Sequence, residues 1–258
     1  MGPSIPTKNT TILKDKFSIV MPCYNAENTI NRAILSVITQ TYENFELIII
    51  NDGSTDESES IVRSQASKDK RIVFYSWKKN QGVSFARNKA HDLSTGQFLA
   101  FLDADDTWPN NKLETYLDYF KRGHDLVFSE YVRHVQARRT LISLPRHLSF
   151  NELLKSNYIG LSTGAYDLTK IPFVPFQTTG HEDYLMWLTL FPKAANPIGI
   201  REPLMHYFAN NGSLSANKLR ASRWTWEIYR KHLGLGFMKS LFYFFHYVQK
   251  HLKSFLLL

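Results

Sequence analysis

Apolar runs and helically spaced stretches alternate along the first half of the chain. Phe17 to Met21 is a short apolar run ended by Pro22 and predicts a buried strand. From Glu27 to Thr39, Ile30, Ala33, Ile34, Val37 and Ile38 recur at helical spacing and predict an amphipathic helix. Phe45 to Ile50 predicts a second strand, stopped by Asn51-Asp52-Gly53-Ser54, and Ser54 or Thr55 is placed to cap a helix running to about Ala66. Strands over Arg71–Ser76 and Gln97–Leu102 follow, with a helix over Val83–Leu93 between them. Lys112–Phe120 predicts a helix and Leu126–Phe128 the start of a strand. Beyond about residue 135 the pattern weakens. It suggests a short helix at Phe150–Lys155, a strand at Gly164–Tyr166 and a helix at Glu182–Phe191. Two short strands are expected near Ile198–Ile200 and Leu204–Phe208.

Strands alternating with helices every ~25 residues predict an α/β fold, with a mostly parallel sheet flanked by helices. Continuously apolar strands fit a sheet covered on both faces. Ligands of such sheets sit at the carboxyl ends of the strands. The polar clusters Pro22-Cys-Tyr-Asn25, Asn51-Asp-Gly-Ser54 and Asp103-Ala-Asp-Asp106 fall at those ends.

The last of these carries the most chemistry. Three carboxylates in four residues repel one another unless something positive neutralises them. Mg²⁺ or Mn²⁺ does so, held by one or two carboxylates plus substrate phosphates. The alternative is a solvated loop in which Asp106 or Thr107 caps the next helix. Asp52-Gly53, taken alone, is a common turn.

Composition narrows the class. With 258 residues, 43% of them hydrophobic, the chain buries a sizeable core and is not disordered. The lone Cys23 cannot form an internal disulfide, which fits a reducing, cytoplasmic setting. No apolar run marks a signal peptide or a spanning helix. The net charge is +8, of which the stretch from Ala216 to Leu258 carries +7. The body is therefore nearly neutral, and the tail is the basic element.

Four segments in order, Val20-Met-Pro22-Cys-Tyr24-Asn25, Asn51-Asp52-Gly53-Ser54-Thr55-Asp56, Gly82-Val-Ser-Phe-Ala-Arg87-Asn88 and Phe101-Leu-Asp103-Ala-Asp105-Asp106, resemble the nucleotide-sugar half of the family 2 glycosyltransferases. The likeness is specific over Phe17–Trp108 and looser to Ser215, through Gly180-His-Glu182-Asp183-Tyr184. It implies the GT-A fold over residues 17–215, divided into a nucleotide-sugar half (17–108) and an acceptor half (109–215). Residues 1–16 would be an extension and 216–258 a helical tail.

The resemblance also implies roles. Tyr24 would stack on the nucleobase and Asp52 would accept from a uracil N–H. Pro22 and Asn25 would shape the nucleoside pocket, Arg87 would approach the diphosphate, and Asp103 and Ala104 would line the donor site. Asp105 would be the metal ligand, for Mn²⁺ or Mg²⁺. Asp183 would be the catalytic base of a single, inverting displacement. Its plainer reading is an acid favoured by the helix N-terminus. The expected function is transfer from a nucleotide-sugar, a UDP-sugar by the Asp52 reading, to a glycan or lipid-linked acceptor in bacterial surface polysaccharide or lipopolysaccharide synthesis. A sugar-nucleotide pyrophosphorylase would need a Gly-rich basic loop where Pro22-Cys-Tyr-Asn25 stands. An inactive scaffold would not need Asp52, Asp105 and Asp183 together.

One departure stands out. Relatives often carry Tyr-Arg-x-His-x-x-Ser-x-Ser where this chain has Tyr207-Phe208-Ala-Asn210-Asn211-Gly212-Ser213-Leu-Ser215. Phe208 replaces the Arg and Asn210 the His, and the neighbouring His206 reads as structural. In the tail, Trp224, Trp226, Tyr229, Phe237, Leu241, Phe242, Phe244, Phe245, Tyr247, Val248 and Leu252 are interleaved with cations. Residues 219–258 are thus expected on an anionic membrane surface, on the inner face of the cytoplasmic membrane. A helical pair packed on the body and a homo-oligomer contact are the other readings. The apolar density exceeds what nucleic-acid stacking needs, so nucleic acid is not an expected partner.

Overall fold

Burial on both faces makes the first strands nearly all apolar, and the structure, a computed structural model, places them at the centre of one sheet. It describes residues 11–145, 147–209 and 218–256; at 218–219 and 251–256 it describes the backbone alone. β1 (Leu13–Cys23), β2 (Phe45–Asp52), β3 (Ile72–Trp77) and β4 (Gly96–Phe101) pair in parallel. Between them run α1 (Ile30–Ile38), α2 (Ser58–Lys68) and α3 (Val83–Leu93). After α4 (Lys112–Lys121) come β5 (Leu126–Val135) and β6 (Arg138–Ile142), then α5 (Phe150–Lys155), β7 (Ala165–Asp167), α6 (Glu182–Leu190) and β8 (Pro197–Phe208). The sheet order is β3-β2-β1-β4-β7-β5-β6, with β8 parallel to β5. β7 is antiparallel to both β4 and β5.

The alternation along each central strand divides the core in two. Phe17, Ile19, Met21, Leu47 and Ile49 join α1 and α4 on one face. Val20, Ile48, Ile50, Leu99 and Phe101 join α3, α5 and α6 on the other. Trp187 of α6 fills the second layer so tightly that a Cβ on Gly164 would come within 2.4 Å of its ring.

Three expectations are adjusted. The first strand begins at Leu13, ahead of Phe17, with a register shift between the two. The two short strands near Ile198 and Leu204 are one strand, β8, because the polar break Arg201-Glu202-Pro203 is taken up as irregular pairing with β5. β6 was unforeseen: it is an exposed edge strand, so its Arg138-Arg139-Thr140 start carries no apolar signal.

The tail is helical, as expected. α7 (Lys218–Glu227) passes through a π-turn at Ile228–His232 into α8 (Phe237–Leu256). The break falls at Gly234, whose φ of +62° suits glycine. Ile228 and Tyr229 are fully buried in the second core layer, so the start of the tail is built into the body.

Candidate active site

The carboxyl ends of β1, β2 and β4 open into one cavity of about 1190 Å³. Its walls hold Pro22, Tyr24, Asn25, Asp52, Arg87, Asp103, Ala104, Asp105 and Asp183, so every residue expected at the site lines it. A drug-sized ligand fills roughly 300–1,000 Å³, and this cavity has room for a nucleotide-sugar with part of a second substrate.

The end of the cavity beside β1 and β2 is built by loops that bond to one another. Asn25 sits at φ +47°, a left-handed conformation that Asn tolerates. Its main-chain N–H donates to Ser54 Oγ at 3.0 Å, and its Oδ1 accepts from Thr55 N–H at 2.9 Å. The β1 and β2 loops are thereby tied together. Tyr24 remains half exposed, with its ring free to meet a ligand. Asp52 is buried and already engaged: Oδ1 accepts from Trp77 Nε1 at 2.5 Å and Gln81 N–H at 2.8 Å, and Oδ2 from Gly82 N–H at 2.8 Å. It therefore shapes the turn into α3, and one Oδ2 lone pair stays open to a ligand.

The three carboxylates after β4 have separate environments. Asp106 is buried and its Oδ2 accepts from Ser162 Oγ at 2.7 Å. Burial, then the charges of Asp103 and Asp105, hold its carboxyl well above the usual range. Asp106 thus anchors the loop through Ser162, and the N-cap of α4 falls at Asn111 instead. The same Ser162 Oγ accepts from Asp103 N–H at 3.1 Å. Asp105 is half-buried, and burial followed by repulsion from Asp103 pushes its carboxyl up to about 6. Arg32 of α1 counters this, donating from Nη2 to the Asp105 carbonyl at 2.7 Å.

Arg87 is buried, and its guanidinium bridges two acids: Nη2 to Asp103 Oδ1 at 2.8 Å and Nη1 to Glu182 Oε1 at 2.6 Å. Burial opposes its charge, but the two carboxylates outweigh burial and keep it protonated. Its first task is to join the two halves of the site. Asp183 stands next to Glu182 at the start of α6 and takes a 3.2 Å hydrogen bond from Asn157 Nδ2. Burial, then the Glu182 charge, push its carboxyl up to about 7, against the pull of Arg87.

Sequence reasoning missed Ser162 and Asn157, neither of which had a local signal, and gave no role to His181 within the Gly180–Tyr184 stretch. It also missed Trp224. That residue belongs to α7, yet it lines the cavity and packs on Gly180 and on the His181 ring, 5.3 Å between centroids. His206 does not line the cavity: its Nδ1 lies 3.0 Å from His134 Nε2 in β5, a structural pair. Phe208 is stacked between the Arg32 guanidinium, 3.8 Å from the ring centroid, and the His134 ring at 4.6 Å. Asn210, Ser213 and Ser215 lie outside the described residues.

The glycosyl transferase family 2 model matches residues 18–180, most of the chain, ending just before Glu182 and Asp183. The chain belongs to that family. It is a glycosyltransferase with the GT-A arrangement. An uncharacterized glycosyltransferase of Haemophilus influenzae is 34% identical, covering 89% of this chain and 94% of that one. WfgD of Escherichia coli, named a UDP-Glc:alpha-D-GlcNAc-diphosphoundecaprenol beta-1,3-glucosyltransferase, is 32% identical over 82% of this chain and 84% of its own. Among solved structures, Staphylococcus aureus TarS 1-349 in complex with UDP-GlcNAc superposes with a TM-score of 0.70 at 20% identity. It covers 83% of this chain, which spans 64% of that one.

Proposed function

We propose that the chain is a metal-dependent, inverting glycosyltransferase that moves a sugar from a UDP-sugar to a glycan or lipid-linked acceptor in bacterial surface polysaccharide or lipopolysaccharide synthesis. The observation that carries this reading is the meeting of Asp103, Asp105 and Asp183 in one cavity large enough for donor and acceptor. The family relative named for transfer from UDP-Glc to a diphosphoundecaprenol-linked sugar supports the donor and acceptor classes.

A divalent cation fits the residues present. Among the described residues no group of three or more His, Cys, Asp and Glu is arranged to hold one by itself. Asp105 with Asp103 beside it suits Mg²⁺ or Mn²⁺, whose remaining ligands are substrate phosphates and water. Burial first, and then repulsion from Asp103, raise the Asp105 carboxyl, and a cation would relieve the repulsion. When bound, such a cation offsets the charge gathering on the departing diphosphate.

The protein groups do the rest. Tyr24 and the Asp52 loop hold the nucleoside. Arg87, neutralised by Asp103 and Glu182, fixes the donor side against α6. Asp183 takes the proton from the acceptor hydroxyl as that oxygen bonds to the anomeric carbon. The bond from that carbon to the diphosphate oxygen breaks with inversion, and the nucleoside diphosphate departs.

Calorimetric titration of UDP, with Mn²⁺ and with EDTA, tests the donor site in wild type and Asp105→Ala. Metal-requiring binding that vanishes in the variant is the expected result. Binding of neither UDP nor GDP nor dTDP would overturn the reading.

A further inference from the structure

The sequence marks the whole tail as basic and aromatic, but the fold divides its rings between two jobs. Tyr229 and Tyr247 are buried, and Trp226 packs edge-on against Phe244 at 5.4 Å. Tyr243 Oη donates to Asn151 Oδ1 at 2.9 Å, seating α8 beside α5. These rings serve the body. On the other side of α8, Phe237, Met238, Leu241, Phe242 and Phe245 are 45–74% exposed. At 100° per residue they share one face, an apolar stripe that stays exposed apart from an edge contact of Phe237 with Trp226. Scattered exposed apolar residues are ordinary; five adjacent ones on one helix face are an interaction surface.

Charge decides what that surface meets. α8 contains no acidic residue. Lys239 lies at one edge of the stripe, Lys250 rests over the Tyr158 ring of the body, and Arg223, Arg230 and Lys231 are exposed on the elements leading into α8. The tail's single acid, Glu227, is already paired with Arg223 and Lys231. A second copy docked on this face would bring two +7 tails together. An anionic bilayer instead accepts the rings among its acyl chains and the cations among its headgroups. Among the described residues no helix is long and apolar enough to cross a membrane, so α8 would lie in the interface.

We infer that the Phe237/Met238/Leu241/Phe242/Phe245 face of α8 inserts into the interface of an anionic lipid bilayer. The inference stands apart from sugar transfer. Its test reads vesicle binding only, so its failure leaves the transferase reading intact.

The full chain is sedimented with phosphatidylcholine vesicles, with and without phosphatidylglycerol. Wild type should bind the phosphatidylglycerol vesicles, and more weakly as salt rises. Phe242→Ser with Phe245→Ser should lower partitioning roughly tenfold or more. Lys239→Glu, which leaves the rings alone, should lower it several-fold on anionic vesicles only. Thermal melts check that the exposed substitutions leave the fold intact. Three results would each overturn the inference. One is absence of wild-type binding. Another is unchanged binding by both variants. The third is a wild-type dimer, seen by light scattering, that the double variant dissolves while vesicles are ignored.

Discussion

Gly180 and Trp224 touch so closely that a Cβ on Gly180 would fall 1.9 Å from the indole. The contact crosses from the loop before Glu182-Asp183 to the first tail helix. The tail therefore braces the segment that carries Asp183. Gly180→Ala should push the indole aside and shift that loop. Displacement by about an ångström can cost on the order of a hundredfold in rate, so transfer should drop by roughly ten- to a hundredfold. Trp224→Ala should lower kcat too, by removing the brace. Metal-dependent nucleotide binding should stay unchanged in both, since the nucleoside end is built by the β1 and β2 loops. Steady-state kinetics beside calorimetry separates the two effects.

Asp183 should give the reaction its pH dependence. Burial and the Glu182 charge raise its carboxyl to about 7, with Arg87 pulling the other way and Asp103 adding to the rise. Below that pH the carboxyl holds a proton and cannot accept another. Above it the base is free, so kcat/KM should rise with pH through a limb near 7. Asp183→Asn should cost ~10²–10⁴-fold in transfer, abolish the limb and spare donor binding. A flat pH profile in wild type would remove Asp183 from this role.

The neighbouring acids Asp105 and Asp106 should respond differently. Loss of a group that merely supports a metal ligand costs roughly 10–100-fold in affinity. Asp105→Ala should exceed that for metal-dependent UDP binding. Asp106 Oδ2 accepts from Ser162 Oγ, a place the oxygen of an amide can fill. Asp106→Asn should therefore bind nucleotide much like wild type. Parallel titrations of the two variants make the comparison.

Arg87 should matter to stability as well as activity. Arg87→Met leaves Asp103 and Glu182 without their shared partner. Breaking a buried ion pair from one side costs about 3–5 kcal/mol, and the lower end applies because Asp103 keeps some contact with solvent. Denaturant melts should show the loss, and donor binding should weaken with it. A melting midpoint equal to wild type would mean that the bridge contributes nothing net.

By itself, the sequence determined the layered α/β plan, because strands buried on both faces must be apolar throughout and helices between them must carry one apolar stripe. It also located one wall of the cavity, since Tyr24, Asn25, Asp52 and Asp103–Asp106 follow directly on those strands. Only the tertiary structure decided the surroundings of each carboxylate. Asp103, Asp105 and Asp106 are near-identical letters in one loop. Burial and Ser162 make Asp106 an anchor of the loop, while Arg32 holds the main chain at Asp105, whose side chain stays half-exposed in the cavity wall. Arg87 shows the same limit: its bond to Glu182 spans 95 positions, a separation no local pattern reports. The tail shows it too. Its aromatics look alike along the chain, but helix rotation buries Tyr247, exposes Phe242, and brings Trp224 into the cavity wall. Periodicity fixes which residues share a face; long-range packing chooses which face meets the body and which meets its surroundings.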